Sequence, residues 1–209
     1  PTMYHKLLCD ATFWGFLFTI DQDLAEAARA KRCPACRGRL HCADFPRKPR
    51  GVRNLPDHCG WRLSFCCSRD GCRKRVTPPS ARFLGRKVYL GAIVILVSAM
   101  RQGPSPRRVR ELTELFGASR ETIYRWREFW NEHFPNSAFW KSARVRLVPV
   151  FTITEFPRSL LEAFVREGRE RSGWSELLKF LSPISTAKGL ASKVYEDPQK
   201  SAEDVNRRF

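Results

Sequence analysis

Hydrophobic residues recur with a helical period in the first 32 residues. The large apolar side chains fall between residues 13 and 20. The run from 21 to 30 that follows is rich in alanine and begins with acids, a composition typical of a helix. The pattern predicts an N-terminal helical segment that packs against the rest of the molecule. The apolar positions are Phe13, Trp14, Leu17, Phe18 and Ile20.

A second apolar stretch, at 84–101, has no polar face. A helix that is apolar nearly all round is normally buried, so this stretch predicts a central helix, which Gly103-Pro104 should end. Two amphipathic patterns follow at about 106–116 and 119–133 and predict two further helices. Because proline interrupts helices, we expect Pro135 to stop the second one.

The C-terminal part combines one extended and two helical patterns. Residues 145–153 are mostly apolar or β-branched and predict an extended piece, whereas 157–168 and 173–181 fit helices. The last residues of the chain are polar and lack apolar periodicity, so we expect a loose tail.

Between the helical parts, the chain has Gly, Pro and Cys at short intervals. Strand-like pieces occur at 39–45 and 61–67, and Pro78-Pro79 closes the segment. The sequence therefore predicts a mainly α fold with a small β zinc ribbon. Its four expected parts are an N-terminal helical segment (1–32), a basic zinc-ribbon-like domain (33–83), a central helix with a helix-turn-helix (84–135), and C-terminal helices with a polar tail (136–209).

Cysteine spacing is the strongest chemical signal. Seven of the eight cysteines lie between residues 33 and 72, a clustering that suits a metal site better than a set of disulfides. In Cys33-Pro34-Ala35-Cys36, two thiolates two residues apart reach one ion from a tight turn, and Gly38 lets the backbone fold under the metal.

The second pair of ligands is less regular, because Cys67 and Cys72 enclose four residues and Cys66 and Cys72 enclose five. Strand alternation places Cys67 on the apolar face with Leu63 and Phe65. We therefore predict one structural Zn²⁺ whose four thiolates leave no position for water. The predicted ligands are Cys33, Cys36, Cys67 and Cys72, with Cys66 as the substitute for Cys67 and with His41, Cys42, His58 and Cys59 in reserve.

Residues 105–131 have the pattern of a helix-turn-helix. Gly117 lies at the turn, Ser119 is a predicted N-cap, and Ile123, Trp126 and Trp130 form an inward stripe. In such a motif the second helix enters the major groove and its outward residues read bases, while the first helix contacts phosphates. The predicted contacts here are Arg107, Arg108, Ser119, Arg120, Thr122, Tyr124, Arg125 and Arg127.

The charge of the chain predicts a polyanionic partner. The 209-residue chain carries 38 Lys and Arg against 21 Asp and Glu, a net charge of +17. Residues 31–87 alone hold 16 basic and 3 acidic residues, a net charge of +13. Two basic runs in this part are predicted to contact the nucleic-acid backbone. They comprise Arg47, Lys48, Arg50 and Arg53 in a Pro-rich loop, and Arg73, Lys74 and Arg75 after the last predicted ligand.

Enzymatic and membrane functions receive no support from the sequence. No strand-borne carboxylate pair or glycine-rich phosphate loop is recognisable, and the four histidines are scattered. We therefore expect a protein that is not an enzyme. The apolar runs at 11–20 and 88–100 are shorter than the roughly 20 residues of a spanning helix, so we expect no membrane partner and a cytoplasmic location.

The order of these motifs resembles a known family. A ribbon that starts with Cys33-Pro34-Ala35-Cys36, then Gly71-Cys72-Arg73, a central helix and a helix-turn-helix, looks like the N-terminal DNA-binding half of insertion-sequence transposases. It is also similar to small transposon-associated proteins that carry only that half. The resemblance covers roughly residues 30–135, and the four-residue gap before Cys72 departs from the pattern.

This resemblance implies recognition or regulation of a mobile element, with catalysis by another protein, because the acidic catalytic domain of such transposases is missing. It implies Cys33, Cys36, Cys67 and Cys72 as zinc ligands and 119–128 as the reading helix. The favoured function is thus sequence-specific binding of duplex DNA, with the C-terminal helices as a surface for a protein partner or a second copy. The alternative is an RNA- or heteroduplex-binding subunit in which Phe45, Trp61 and Phe83 stack on bases.

Overall fold

The computed structural model describes residues 10–47, 49, 55–84, 91–99, 105–147 and 151–186. Helices account for 59% and strands for 8% of the structure, which confirms the predicted mainly α class with a small β part. The main helices are α1 (Ala11–Ala30), α2 (Gly91–Ser98), α3 (Pro106–Phe116), α4 (Arg120–Glu128), α5 (Phe134–Asn136), α6 (Ala138–Ala143), α7 (Arg158–Phe164) and α8 (Glu170–Leu181).

Five short strands form two antiparallel sheets. The three-stranded sheet has the order β1-β4-β5, with Leu40 opposite Cys67 and Cys66 opposite Arg75. The two-stranded sheet pairs β2 with β3, with Phe45 opposite Arg62 and Pro46 opposite Trp61. The strands are β1 (Leu40–Cys42), β2 (Phe45–Pro46), β3 (Trp61–Arg62), β4 (Phe65–Cys67) and β5 (Arg75–Val76).

Helix α1 forms as the apolar period predicts. Asp10 caps it, since its carboxylate accepts hydrogen bonds from the backbone N–H and the hydroxyl of Thr12, and the backbone bond is 2.8 Å long. These bonds hold the pKa of Asp10 below its usual value. Phe13, Trp14 and Leu17 are fully buried in the main hydrophobic core, so the predicted packing of this segment against the rest of the molecule is confirmed.

The predicted central helix is confirmed over Gly91–Ser98, where every residue whose burial is described is buried. Its predicted continuation and the Gly103-Pro104 stop lie outside the described residues. The main core extends from α1 through α2 and the α3–α4 pair to α8. A separate small core surrounds the cysteines and contains Leu40 and Phe65.

A buried ion pair links α1 to the chain that leads toward α2. Arg82 Nε lies 2.8 Å from Asp21 Oδ2, and both side chains are fully buried. Ser80 donates its hydroxyl to the same carboxylate oxygen at 2.6 Å. Arg82 also donates to the backbone carbonyls of Cys59 and Trp61. The carboxylate and the guanidinium are thus both compensated inside the core.

Two predicted elements differ from the structure. The chain continues as a π-helical turn at Phe129–His133 and then as α5, so Pro135 does not stop the helix. In the π turn, the N–H of Phe134 donates to Phe129 rather than to the residue four positions back; π turns of this kind accommodate irregularities within a helix. In the predicted extended piece, Arg144–Arg146 and Ile153–Glu155 are 3₁₀ turns.

The two predicted C-terminal helices are present as α7 and α8. Trp174, Leu177 and Leu181 of α8 are fully buried, so its apolar stripe belongs to the main core. The predicted polar tail lies outside the described residues. None of the helices in the described ranges has both the length and the apolarity needed to cross a membrane.

Candidate metal site and candidate nucleic-acid interface

Four cysteine sulfurs converge beside the three-stranded sheet. The sulfurs of Cys33, Cys36, Cys67 and Cys72 all lie within 4.8 Å of one another, and this is the only such group of potential ligands in the described part of the chain. The sulfurs of Cys33 and Cys72 are 3.7 Å apart, and those of Cys36 and Cys67 are 3.4 Å apart. Four thiolates bound tetrahedrally at about 2.3 Å from an ion would be about 3.8 Å apart. The cluster therefore fits a four-coordinate metal ion.

Two similar turns present these sulfurs. The first turn follows α1, and in it Arg37 donates its N–H to the carbonyl of Cys33 at 2.8 Å. The second connects β4 to β5, and in it Cys72 donates to the carbonyl of Arg69 at 3.1 Å. The residue after the last cysteine of each turn has positive φ, +60° at Arg37 and +41° at Arg73.

Gly38 lies directly against the site, which agrees with the expectation that it lets the backbone fold under the metal. The reason is space and not a left-handed φ, which belongs to Arg37. A Cβ at position 38 would lie 3.0 Å from Cys67 Sγ and 3.2 Å from Cys36 Sγ. The absence of a side chain at position 38 thus allows the two turns to approach each other.

The thiols have different acidities. Backbone N–H donors, that of Ala35 first and that of Cys36 also, lower the pKa of Cys33 to about 6 despite burial. The backbone N–H of Arg69 also lowers the pKa of Cys67. Burial and hydrogen bonds with the neighbouring cysteine sulfurs outweigh this effect and raise the pKa of Cys67 to about 12. One thiolate therefore forms easily, and a full set of four needs a cation between them.

The alternative ligands lie elsewhere. Cys66 has turned away from the cluster and donates its thiol to the carbonyl of Arg73 at 3.4 Å. Cys42 is exposed. Cys59 is buried in the main core, where desolvation raises its pKa, and His58 packs edge-on against Phe18 at 4.9 Å. Strand alternation thus selected Cys67 over Cys66 in agreement with the geometry.

Helices α3 and α4 meet at a short turn. Gly117 has φ of +61°, a conformation that favours glycine. Thr113 fixes the turn by donating its hydroxyl to the carbonyl of Ala118 at 2.9 Å. Ser119 caps α4 by accepting from the N–H of Thr122 at 3.3 Å. The first-turn acid Glu121 has a lowered pKa because its carboxylate accepts first from its own backbone N–H and then from Ser119.

The inward stripe predicted for these helices is buried. Ile123, Trp126 and Trp130 are at most 3% exposed, and α4 packs against both α3 and α2. The opposite side of α4 exposes Arg120, Tyr124 and Arg125. The burial pattern therefore leaves a face of α4 open to solvent that carries two arginines and a tyrosine together with the acids Glu121 and Glu128.

Several residues of these helices that are predicted to contact DNA interact with other side chains of the same chain. The guanidinium of Arg120 lies 5.5 Å from the ring centroid of Tyr124. Arg125 donates to the hydroxyl of Thr122 at 3.3 Å. Arg107 of α3 pairs with Glu111 at 3.2 Å on the exposed surface. Arg127 is half-buried, and the side chain of Arg108 lies outside the described residues.

The other predicted basic residues lie on or near the two sheets. Arg73, Lys74 and Arg75 are exposed. The first two are held by the second cysteine turn, since Lys74 accepts through its carbonyl from the N–H of Cys67 at 3.0 Å. Arg75 and Arg47 place their guanidinium carbons 5.6 and 5.5 Å from the ring centroid of Phe45. Lys48, Arg50 and Arg53 lie outside the described residues.

The three aromatic residues that would stack on bases in the RNA-binding alternative differ in how exposed they are. Trp61 is 45% exposed, and Phe45 is partly exposed beneath two arginines. Phe83 is fully buried in the main core, so the prediction that it stacks on bases is wrong. The basic residues near it in the sequence did not reveal that it directly follows Arg82 of the buried Asp21–Arg82 pair.

Comparisons with known proteins add no relative: no protein-family model, no curated protein and no solved structure matches this chain.

Proposed function

We propose that this protein is a zinc-stabilised, sequence-specific binder of duplex DNA, and that it serves a mobile element as an accessory protein or regulator. The observation that carries the proposal is the α3–α4 unit. It has a buried apolar stripe, a glycine turn of positive φ, a capped second helix, and an exposed face on that helix with arginine, tyrosine and glutamate side chains. A helix with these features can enter the major groove.

In this proposal α4 reads the sequence. Arg125 lies one turn into the helix and can donate two hydrogen bonds to guanine, the commonest specific contact in the major groove. Its present acceptor, the hydroxyl of Thr122, is a neutral group that a base edge can replace. Arg120 is nearer the helix start and stacks over Tyr124, which positions both side chains at the same end of the exposed face.

The cysteine cluster would hold one Zn²⁺ as a purely structural ion. All-sulfur donation suits zinc, and four thiolates leave no site for a reacting water. The two cysteine turns joined by a three-stranded antiparallel sheet support the zinc-ribbon reading. The ion would fix Arg73 and Lys74 near the surface, where they can contact phosphates.

Selection of bound sequences from a random duplex pool, run beside an RNA pool, tests the DNA proposal. We expect an enriched duplex motif that binds tighter than random duplex by about 10³-fold or more. Arg125→Ala should cost about 5- to 150-fold on the selected site and relax one position of the motif.

The matched control is Arg144→Ala, which removes an equally charged, exposed side chain outside the α3–α4 unit. It should leave the preferred sequence unchanged. An absence of any enriched motif, together with full competition by RNA, would overturn the proposal and favour the RNA-binding alternative.

A further inference from the structure

The two cysteine turns and the strand ends beside them carry a dense set of basic side chains. Residues 31–42 and 66–76 contain eight Lys and Arg and a single acid, Asp70. All eight basic residues are exposed. This set, called the basic rim below, comprises Lys31, Arg32, Arg37, Arg39, Arg69, Arg73, Lys74 and Arg75.

The charge of the basic rim is not neutralised by ion pairs. Exposed arginines elsewhere pair with acids, as Arg107 does with Glu111 at 3.2 Å and Arg171 with Asp10 at 2.8 Å. Within the described ranges, by contrast, no residue of the rim forms an ion pair. The two segments have a net charge of +7, and one Zn²⁺ with four thiolates would lower it by about two. The excess that remains favours a polyanionic partner.

Contacts between the two turns bring arginines that are distant in sequence together. A Cβ at position 38 would lie 3.5 Å from Arg69 Cβ, so Arg69 of the second turn adjoins the backbone that connects Arg37 and Arg39. Arg73 donates its N–H to the carbonyl of Arg69 at 3.2 Å. Arginines of both turns are therefore neighbours on the surface.

Three arginines of the rim have an unfavourable backbone conformation. Arg32, Arg37 and Arg73 have φ of +59°, +60° and +41°, and no other non-glycine residue that the structure describes has positive φ. Glycine adopts this region without steric cost, and backbone groups form the hydrogen bonds that close both turns. What arginine adds is its guanidinium. Strained backbone of this kind concentrates at functional sites.

We propose that the basic rim binds backbone phosphates of the bound duplex, and that Arg37, Arg69 and Arg73 donate hydrogen bonds to them. A guanidinium presents several N–H donors in a geometry that matches a phosphate. Contacts of this type position a protein on DNA without reading its sequence. The inference rests on the proposed nucleic-acid binding and deepens it, because Arg37 and Arg69 lie in neither basic run of the sequence and join Arg73 through the approach of the two turns.

Substitution by glycine tests these arginines without straining the turns. The glycine variant, Arg37→Gly with Arg73→Gly, removes two charges at positions whose φ glycine adopts freely. Its control, Arg144→Gln with Arg146→Gln, removes two exposed charges outside the rim and outside the α3–α4 unit. Arg69→Gln changes the third proposed contact. Binding of the full-length, zinc-loaded protein to the selected duplex and to random duplex is measured between about 50 and 200 mM salt.

We expect the glycine variant to weaken binding to both duplexes by the same factor and to flatten the slope of log affinity against log salt by about two, and Arg69→Gln to flatten it by about one. The control should keep the wild-type slope. Arg37→Lys with Arg73→Lys, which retains both charges, should keep most of it. The zinc content and the urea midpoint of the glycine variant should match those of the wild type.

Three results would overturn the inference: an unchanged slope for the glycine variant or for Arg69→Gln, an equal change for the control, or loss of zinc by the glycine variant. The second would show that total charge governs binding, and the third that the arginines serve the turns. The slope on random duplex is separate from the sequence preference of α4. A failed selection with a slope that depends on the rim would therefore reject sequence-specific recognition alone, whereas a selected motif with an unchanged slope would reject the rim alone.

Discussion

At the scale of single residues, the cysteine site depends as much on a missing side chain as on its four sulfurs. The N–H of Cys33 donates to the carbonyl of Gly38 at 3.0 Å, so this glycine lies inside the first turn and against the second. The cysteines could be predicted from spacing and strand alternation. The steric reason for Gly38 could not, because it depends on how closely two turns that are distant in sequence approach each other.

Gly38→Ala should weaken zinc binding, because the new Cβ would press on the sulfurs of Cys67 and Cys36 at 3.0 and 3.2 Å. We expect a loss of about tenfold or more, as for other changes that displace metal ligands, measured by competition with a chromophoric chelator. Gly15→Ala is the control, since a Cβ there would meet nothing within 4 Å and alanine favours a helix. Equal zinc affinity of the Gly38→Ala variant and the wild type would contradict this reading of the site.

At the scale of elements, helices with strong apolar periodicity were predictable, and the contacts that join them were not. The stripes of α1 and α4 identify their buried faces directly. By contrast, nothing near Asp21 in the sequence indicates that it pairs with Arg82, 61 residues later. The prediction for Pro135 was wrong for a related reason: the ring of Phe134 packs 5.3 Å from that of Phe156, and this tertiary contact favours continuation of the helix.

Asp21→Asn should destabilise the protein by about 3–5 kcal/mol, because it leaves the buried guanidinium of Arg82 without its countercharge. Urea denaturation followed by circular dichroism measures the change. The control is Glu162→Gln. The Arg158–Glu162 pair is just as short, 2.7 Å, but Glu162 is 57% exposed, so the expected cost is below about 1 kcal/mol. A similar cost for both variants would show that burial does not govern the Asp21–Arg82 pair.

At the scale of the whole molecule, two supports hold the basic part in place. The cysteine cluster joins the turn after α1, strand β4 and the turn before β5. The Asp21–Arg82 pair holds β3 through the carbonyls of Cys59 and Trp61. The helices form one apolar core that does not include the cysteine cluster. In the proposed function, the helix that reads the bases and the residues that contact phosphates therefore have different supports. Helix α4 packs on the helical core, whereas Arg73 and Lys74 are held by the turn that would bind the metal.

Removal of the metal should therefore loosen one sheet and spare the other. We expect a chelator to speed amide hydrogen exchange about 100-fold or more at Cys67 and Cys72, because their turn would lose the proposed ion that joins it to the turn after α1. Exchange in α4 and at Arg62 should stay slow, since the helical core and the buried ion pair remain. Mass spectrometry of peptides from chelated and zinc-loaded protein measures both regions at once. Cys42→Ser, which changes an exposed cysteine outside the cluster, should behave like the wild type. Equal acceleration across β3, β4 and α4 would mean that the metal supports the whole fold and that the two surfaces are not independent.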